Sequence, residues 1–421
     1  MIFQRRFGPF FTTQFLGAFN DNLFKNVLIL LVTFNSTRFG DVDPGLLANL
    51  AAGLFILPFV LFSAPAGQLA DQRDKARMMQ IVKLAEIGIM LLAGFGLALA
   101  NLHLLLGALF LMGTHSAFFG PLKYSILPQV FDDKELIAGN AWVEMGTFVA
   151  ILLGTLAAGY LVNITHDWMS ISMAWVGVAI VGFTSSLAIP AAPPVTGTAV
   201  TRLRFGWTAN RELVSRAKAD AAVWLCVLAI SWFWLVGSIV LAQLPALVQN
   251  VLKANASAVT ALLAVFSISV GVGSMLCEKL SGRKVEIGLV PLGAIGISLF
   301  TIDLWWTCEQ AATQTNLFER MAADLGLMGL FSGFFIVPLY SYVQLKTPLD
   351  ATSRVIAANN ILNAVFMVAG AGGAAAALAA GVQTHQLMLL AGVLNALVCM
   401  YFFTREPEFV QRFLRWVRRK A

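Results

Sequence analysis

The chain has 421 residues, of which 58% are hydrophobic and only 12% charged, with a formal charge of +6. A soluble domain carries about 25% charged residues, so the composition excludes an ordinary globular protein and describes a polytopic membrane protein. The positive charge does not point to nucleic acid, because its placement follows a membrane rule.

Apolar windows long enough to span a bilayer number about twelve: 10–34, 46–70, 78–100, 102–125, 137–163, 169–190, 221–249, 256–279, 285–306, 321–345, 352–382 and 385–404. With the N-terminus in the cytoplasm, 23 of the 28 Lys and Arg residues fall on the cytoplasmic side and only Arg38, Lys253 and Arg320 on the other; Lys25 and Lys83 lie inside spans. That asymmetry predicts cytoplasmic termini and an even span count. No cleavable signal is evident before the first span.

The first span, Phe10 to Phe34, reads FFTTQFLGAFNDNLFKNVLILLVTF. A helical rise of about 1.5 Å per residue puts Asp21 roughly 16 Å into a roughly 30 Å layer. A carboxylate or ammonium there costs about 2.5 to 3.5 kcal/mol on insertion scales, so it is expected to face a bundle interior or a wet route. Gln14, Ala18, Asp21 and Lys25 form a helical stripe, with Asn22 and Asn26 beside it. Asp21 and Lys25 are spaced either to neutralise one another or to face one ligand.

A polar loop with Asp41 and Asp43 leads to the second span, which ends in Gly67, Asp71, Arg73, Lys75 and Arg77. Two readings stand for this loop: a charged turn obeying the positive-inside rule, or one whose Asp71 accepts bonds from a helix N-terminus or an arginine. In the third span Lys83 and Glu86 are expected to snorkel or cap near its inner end. Pro121 and Lys123 mark the inner end of the fourth span. In the fifth, Asn140, Glu144 and Thr147 share a face, and Glu144 has two candidate partners, Lys123 or a ligand. The segment Ala191 to Asp220, Pro-rich and then basic, reads as a linker partly helical on the membrane surface.

The second half repeats the first. Gly67 recurs as Gly273, Pro121-Leu122 as Pro338-Leu339 and Asn140 as Asn359, at offsets of 206, 217 and 219. A slowly growing offset predicts two parallel six-span halves, residues 1–190 and 221–404, joined by linker 191–220 and followed by a tail at 405–421. The loop counterpart contains Glu278 and Arg283, and Asn363 stands at the equivalent of Glu144, beside Asn359 and Asn360. Gln243, Gln344, Trp232, Phe233 and Trp234 complete a softer set. The tail puts Phe409, Phe413, Trp416 and Val417 on one helical face with arginines largely off it, which predicts an interfacial helix on anionic lipid or, more plainly, a charged tail.

Cofactor chemistry has little support. Cys226, Cys277, Cys308 and Cys399 are scattered and read as free packing thiols, and His103, His115, His166 and His385 are isolated, which disfavours a metal. No histidine is followed, with four residues between, by an aspartate, as an acyltransferase pair requires, and there is no GxxxxGK[ST] loop for ATP. The expectation is a transporter without its own chemical fuel, and not an enzyme.

Twelve spans in two halves, a basic linker and the Gly67–Arg77 loop resemble the major facilitator superfamily, although Gln72 and Asp74 stand where an arginine and a glycine are common. Within it the chain looks like the bacterial lysophospholipid transporters. The match is carried by QFLGAFNDN from Gln14 to Asn22, GQLAD from Gly67 to Asp71, PLKYSIL from Pro121 to Leu127, NAWVE from Asn140 to Glu144 with ILLG from Ile151 to Gly154, GSMLCE from Gly273 to Glu278 and EIGLVP from Glu286 to Pro291. The resemblance implies an all-α fold of twelve transmembrane helices in the bacterial inner membrane. It also implies inward movement of lysophospholipids such as lysophosphatidylethanolamine for reacylation, with a cytoplasmic acyltransferase or acyl carrier protein synthetase as partner, either separate or fused. The expected form is a monomer among membrane lipids, with no cofactor and no nucleic acid.

An Asp21/Lys25 site suits a zwitterionic headgroup, and Asn22, Gln14, Glu144, Asn140, Lys123, Asn359 and Asn363 are the further candidates for substrate contact. Gly67, Asp71, Arg73, Arg77, Glu278 and Arg283 are the candidates for gating. Two other functions stay open: a proton-coupled exporter of a hydrophobic drug or other amphipathic solute, using Asp21 or Glu144 as proton carrier, and a non-transporting membrane anchor or lipid sensor.

Overall fold

The computed structural model describes residues 1–34, 39, 44–165, 167–195, 202–313 and 315–420; Arg38, Asp41, Asp43 and His166 lie outside them. Among the described residues, twelve helices are long and apolar enough to cross a membrane. They are α1 (Gly8–Phe34), α2 (Pro44–Gln72), α3 (Lys75–Ala98), α4 (Leu102–Ser125), α5 (Leu136–Ile164), α6 (Trp168–Ser186), α7 (Ala221–Leu247), α8 (Ala256–Leu280), α9 (Leu289–Glu309), α10 (Leu317–Lys346), α11 (Thr352–Ala379) and α12 (Thr384–Arg405). A linker helix (Trp207–Ala217) and a tail helix (Glu408–Lys420) accompany them.

Helix limits follow local chemistry. Asp74 caps α3 by accepting from the Arg77 N–H (3.0 Å), Asn101 caps α4 through Leu104 N (3.1 Å), and Asp220 caps α7 through Ala222 and Val223. Asp167 caps α6 from an exposed position, and three bonds donated by Ser170 and Met169 hold its carboxyl below the ordinary aspartate range.

The chain forms two compact units. The first holds Met1–Val130, Val149–Arg216 and Thr347–Ala364; the second holds Phe131–Phe148, Ala217–Lys346 and Val365–Ala421. These contact units differ from the sequence halves in two places, because the start of α5 packs with the second unit and the start of α11 with the first.

In the first unit, Leu23, Phe24, Val27 and Leu28 of α1 pack with Met90 of α3, Met112 of α4 and Trp175 of α6. The Phe24 and Trp175 rings meet edge to face at 5.2 Å. Lipid is as apolar as these side chains, so close backbone approach matters more here than burial from water. An added Cβ at Gly113 of α4 would lie 3.1 Å from the Phe55 Cα of α2, and one at Gly333 of α10 would lie 2.9 Å from the Gly273 Cα of α8. Glycine at these positions lets α2 meet α4 in one unit and α8 meet α10 in the other.

The linker helix docks on the first unit. Asn210 Nδ2 donates to the Val60 carbonyl (2.7 Å), Arg204 N donates to Gln68 Oε1 (2.9 Å), and Ala209, Leu213 and Ala217 are buried. Glu212 bridges Arg216 and Arg204 at 3.0 and 2.6 Å, and bonds from the two guanidiniums, Arg216 first, draw its carboxyl below the ordinary range.

The tail is a helix, Glu408–Lys420. Its apolar face is spent partly on protein: Phe409 is buried, Trp416 Nε1 donates to the Leu280 carbonyl (3.0 Å), and the Arg412–Phe413 backbone sits against Gly288. Leu414 and Val417 remain exposed. The turn before α9 carries no side chain at Gly288, so the helix can seat there.

Candidate functional site

Seven of the nine candidate contact residues lie in the first unit: Gln14, Asp21, Asn22 and Lys25 on α1, Lys123 on α4, and Asn359 and Asn363 on the start of α11. Glu144 and Asn140 lie in the second. Lys123 and Glu144, whose pairing is one of two readings of the sequence, thus belong to different units.

Asp21 does not spend its charge on Lys25 alone. Its Oδ2 accepts from Ser116 Oγ of α4 at 2.7 Å, while Oδ1 is buried without a hydrogen-bond donor among the described residues. Lys25 Nζ stands 5.6 Å from the centre of the Phe55 ring of α2. Asn22 bonds back to the Ala18 carbonyl (2.8 Å), and Asn26 crosses to Thr155 Oγ1 of α5 (3.1 Å). Gly154, from the motif on α5, explains that crossing: an added Cβ there would lie 3.1 Å from Asn22 Cβ. Gln14 is buried at 2% exposure, and Lys123 Nζ lies 5.0 Å from the Tyr124 ring centre.

Lys83 and Glu86 overturn the snorkelling expectation. Both are at 0% exposure and form an ion pair with each other. Glu86 also takes Asn20 Nδ2 of α1 on Oε1 (2.7 Å) and lies 3.1 Å from His115 Nε2 of α4. Asn20 Nδ2 reaches the Trp175 carbonyl of α6 as well (3.2 Å). Lys83 fits because two neighbours have no side chain: an added Cβ would lie 3.6 Å from its Nζ at Gly17, and 2.7 Å from it at Gly182. A stem can snorkel only where water is reachable; here four helices close over the ammonium and a carboxylate compensates it. Sequence reasoning missed this cluster, although three ionisable residues in adjacent spans were its visible signal.

Asn140 is committed to helix contact within the second unit. It exchanges bonds with Gln344 of α10, Nδ2 to Oε1 at 2.6 Å and Nε2 to Oδ1 at 3.1 Å, and donates to Ser341 Oγ at 3.1 Å. Asn359 is buried, Asn363 is half-buried, and Asn360 lies against Gly120 of α4. A further polar pair, unremarked in sequence, joins α9 to α10: Thr307 Oγ1 donates to buried Asp324 (2.8 Å), with Arg320 near Asp303 (3.3 Å).

The loop after α2 makes the contact that one of its two readings proposed. Asp71 Oδ1 accepts from the Ser353 N–H in the first turn of α11 (3.1 Å), and Oδ2 accepts from Arg354 Nε (2.7 Å). Gly67 permits this approach, since an added Cβ would lie 2.6 Å from Ala357 Cβ and 3.2 Å from Arg354 Cα. A carboxylate at a helix N-terminus meets both free N–H groups and the positive end of the dipole. Arg73 and Arg77 are exposed. Asp74, which departs from the common pattern, also accepts from Ala192 N (3.1 Å) and so ties the linker to the start of α3.

The counterpart loop is built differently. Glu278 faces Arg283 of its own turn at 3.8 Å, and Gly282 and Arg283 take left-handed backbone angles of 66° and 58°. Gly273 abuts Leu330 of α10, whereas Gly67 abuts Ala357 and Arg354 of α11, so the repeated glycine does not play the same part in both halves.

A family model described as Major Facilitator Superfamily matches residues 10–371. The chain is 27% identical over 341 residues to a protein named Lysophospholipid transporter LplT from Klebsiella pneumoniae, covering 79% of this chain and 78% of the relative. A protein of the same name from Cronobacter sakazakii is 26% identical over 353 residues, covering 82% and 81%. Among solved structures, the human organic anion transporter MFSD10 (TETRAN) superposes with a TM-score of 0.72 at 12% identity, covering 98% of this chain and 99% of that one. FucP in its outward conformation superposes at 0.71 with 12% identity, covering 96% and 100%. At such identities these two establish the fold alone.

Proposed function

Because the chain belongs to the major facilitator superfamily, we propose that it is a lysophospholipid transporter, moving lysophospholipids such as lysophosphatidylethanolamine inward across the bacterial inner membrane for reacylation. The observation that carries the reading is Asp21: a carboxylate midway along α1, oriented by Ser116 and keeping one buried oxygen without a donor among the described residues, with Lys25 one turn away. A lysophosphatidylethanolamine headgroup has one ammonium and one phosphate. The ammonium fits the spare oxygen of Asp21, and the phosphate fits Lys25, with Asn22, Gln14, Lys123, Asn359 and Asn363 of the same unit as further contacts. Asn140, its amide committed to Gln344, serves helix packing rather than the ligand.

Movement proceeds by alternating access of the two sequence halves, the single acyl chain travelling in lipid through a lateral opening. Gly67, Asp71, Arg73 and Arg77, with Glu278 and Arg283 in the second half, form the gating loops. Both termini face the cytoplasm, a reading that the positive-inside bias supports, beside an acyltransferase or acyl carrier protein synthetase that consumes the product. The protein works as a monomer and carries no catalytic group of its own.

The test is inward flipping of a fluorescent lysophosphatidylethanolamine by proteoliposomes, against its glycerol and choline analogues and a diacyl lipid. Lysolipid movement lost in Asp21→Asn and Lys25→Gln supports the assignment. Full movement by the Asp21→Ala/Lys25→Ala double variant, or equal movement of diacyl lipid, overturns it.

A further inference from the structure

The tail helix, Glu408–Lys420, has three faces. Successive residues turn by about 100° around a helix, so Phe409, Phe413 and Trp416 share one face, Val410, Leu414 and Val417 the next, and Gln411, Arg415 and Arg418 the third. The first face is docked on the second unit. Phe409 is buried with its ring 5.8 Å from that of Phe403 on α12, and Trp416 bonds to the Leu280 carbonyl at the end of α8.

The other two faces are uncovered. Leu414 is 49% exposed and Val417 40%. Arg415 and Arg418 are exposed as well, and neither meets a carboxylate among the described residues, whereas Arg412 is bonded to Glu408 (2.8 Å). The turn that Trp416 and Gly288 tie to the tail adds Lys279, Arg283 and Lys284, all exposed. Of the acids there, Glu278 lies 3.8 Å from Arg283, and Glu286 accepts from the Gly288 N–H (3.1 Å). The patch keeps an excess of positive charge beside an apolar strip.

That pairing selects its occupant. An acidic protein surface would match the charge but leave Leu414 and Val417 without apolar partners, and an apolar partner would strand the guanidiniums. A phospholipid satisfies both, its phosphate taking an arginine fork and its acyl boundary taking the aliphatic side chains. The helix lies where α8 ends and α9 begins, with an indole at the same level, which is the depth of lipid headgroups. A zwitterionic headgroup cancels its own phosphate, so the excess of cations favours a net-anionic one.

We propose that the tail helix and the α8–α9 turn form a binding site for net-anionic phospholipid of the bilayer. Arg415 and Arg418 hold the phosphate, Leu414 and Val417 enter the acyl boundary, and Lys279 and Lys284 supply the surrounding field. The occupant is a resident diacyl lipid, so the inference stands apart from the lysolipid reading.

The experiment is hydrogen–deuterium exchange of the full chain in nanodiscs of phosphatidylcholine, alone or with about one third phosphatidylglycerol. Each basic residue near an anionic surface tightens binding by about 5-fold, so exchange over Glu408–Lys420 is expected to slow about 5-fold or more with phosphatidylglycerol, and to slow less at about 0.5 M salt. Arg415→Gln/Arg418→Gln loses the slowing while α8 and α12 exchange as in wild type, and Leu414→Ser/Val417→Ser weakens it. Equal exchange in the two lipid mixtures overturns the site, and so does slowing that survives the arginine variant. Glycerol phosphate reproducing the effect in phosphatidylcholine discs assigns the arginines to a soluble anion and overturns the lipid. Protection that ignores phosphatidylglycerol but rises in discs holding two copies assigns the face to a second chain, with the same result.

Discussion

Lys83 and Glu86 are three positions apart on α3 and both fully buried, so neither can lose its partner cheaply. Breaking a buried pair by removing one charge costs about 3 to 5 kcal/mol, whereas replacing both with apolar groups is often close to neutral. Glu86→Gln is therefore expected to lower the melting temperature of the purified protein sharply, and Lys83→Met/Glu86→Leu to recover most of that loss. Asp21→Asn should behave differently: an amide oxygen still accepts from Ser116, so thermal stability stays near wild type while lysolipid flipping falls. Melting curves beside flipping rates separate the two kinds of residue. Sequence placed all of these groups inside spans but assigned Lys83 to the interface, because the stem length that permits snorkelling is local and the glycines that bury it belong to α1 and α6.

At the scale of elements, the α2 loop and the linker helix show how a short polar contact positions a long helix. Asp71 receives one backbone N–H and one guanidinium from the first turn of α11. Charge-assisted bonds of this kind contribute about 1.5 to 3 kcal/mol each, so Asp71→Ala should destabilise the protein measurably; Gly67→Leu should do so by steric exclusion, and amide exchange should rise locally in the first turn of α11 in both. The linker helix carries a pH expectation. The carboxyl of Glu212 is held below the ordinary value of 4.5, so its contribution is complete above that value and is lost as pH falls through the lower folded one. Exchange protection over Trp207–Ala217 should stay flat from about pH 8 down to about pH 5 and decline only below about pH 4.5. Asp74 and Asp71 were both legible as polar residues at a helix boundary. Which helix each one serves was not, because the partners Ala192 and Ser353 are 118 and 282 residues away.

For the whole molecule, the exchange of helix starts has a direct consequence. The first unit needs Thr347–Ala364 and the second needs Phe131–Phe148, so neither sequence half contains a complete packing unit. Residues 1–195 and 202–421 produced separately should each aggregate in detergent and give a single monodisperse species when co-expressed, as size-exclusion profiles would report. The sequence by itself determined the membrane class, the twelve spans and the family, since span length and apolarity are properties of contiguous residues and the motifs are local strings. It also placed Asp21 at mid-span, because depth follows from counting residues along one helix. Tertiary structure alone decided that Lys83 is sealed rather than snorkelled, that Asn140 pairs with Gln344, that the tail's apolar face rests partly on protein, and that one turn of α4 brings His115 to Glu86 and Ser116 to Asp21. Each of these depends on which face of one helix meets another, and in a medium as apolar as the side chains themselves that choice is made by small residues and polar partners scattered far apart along the chain.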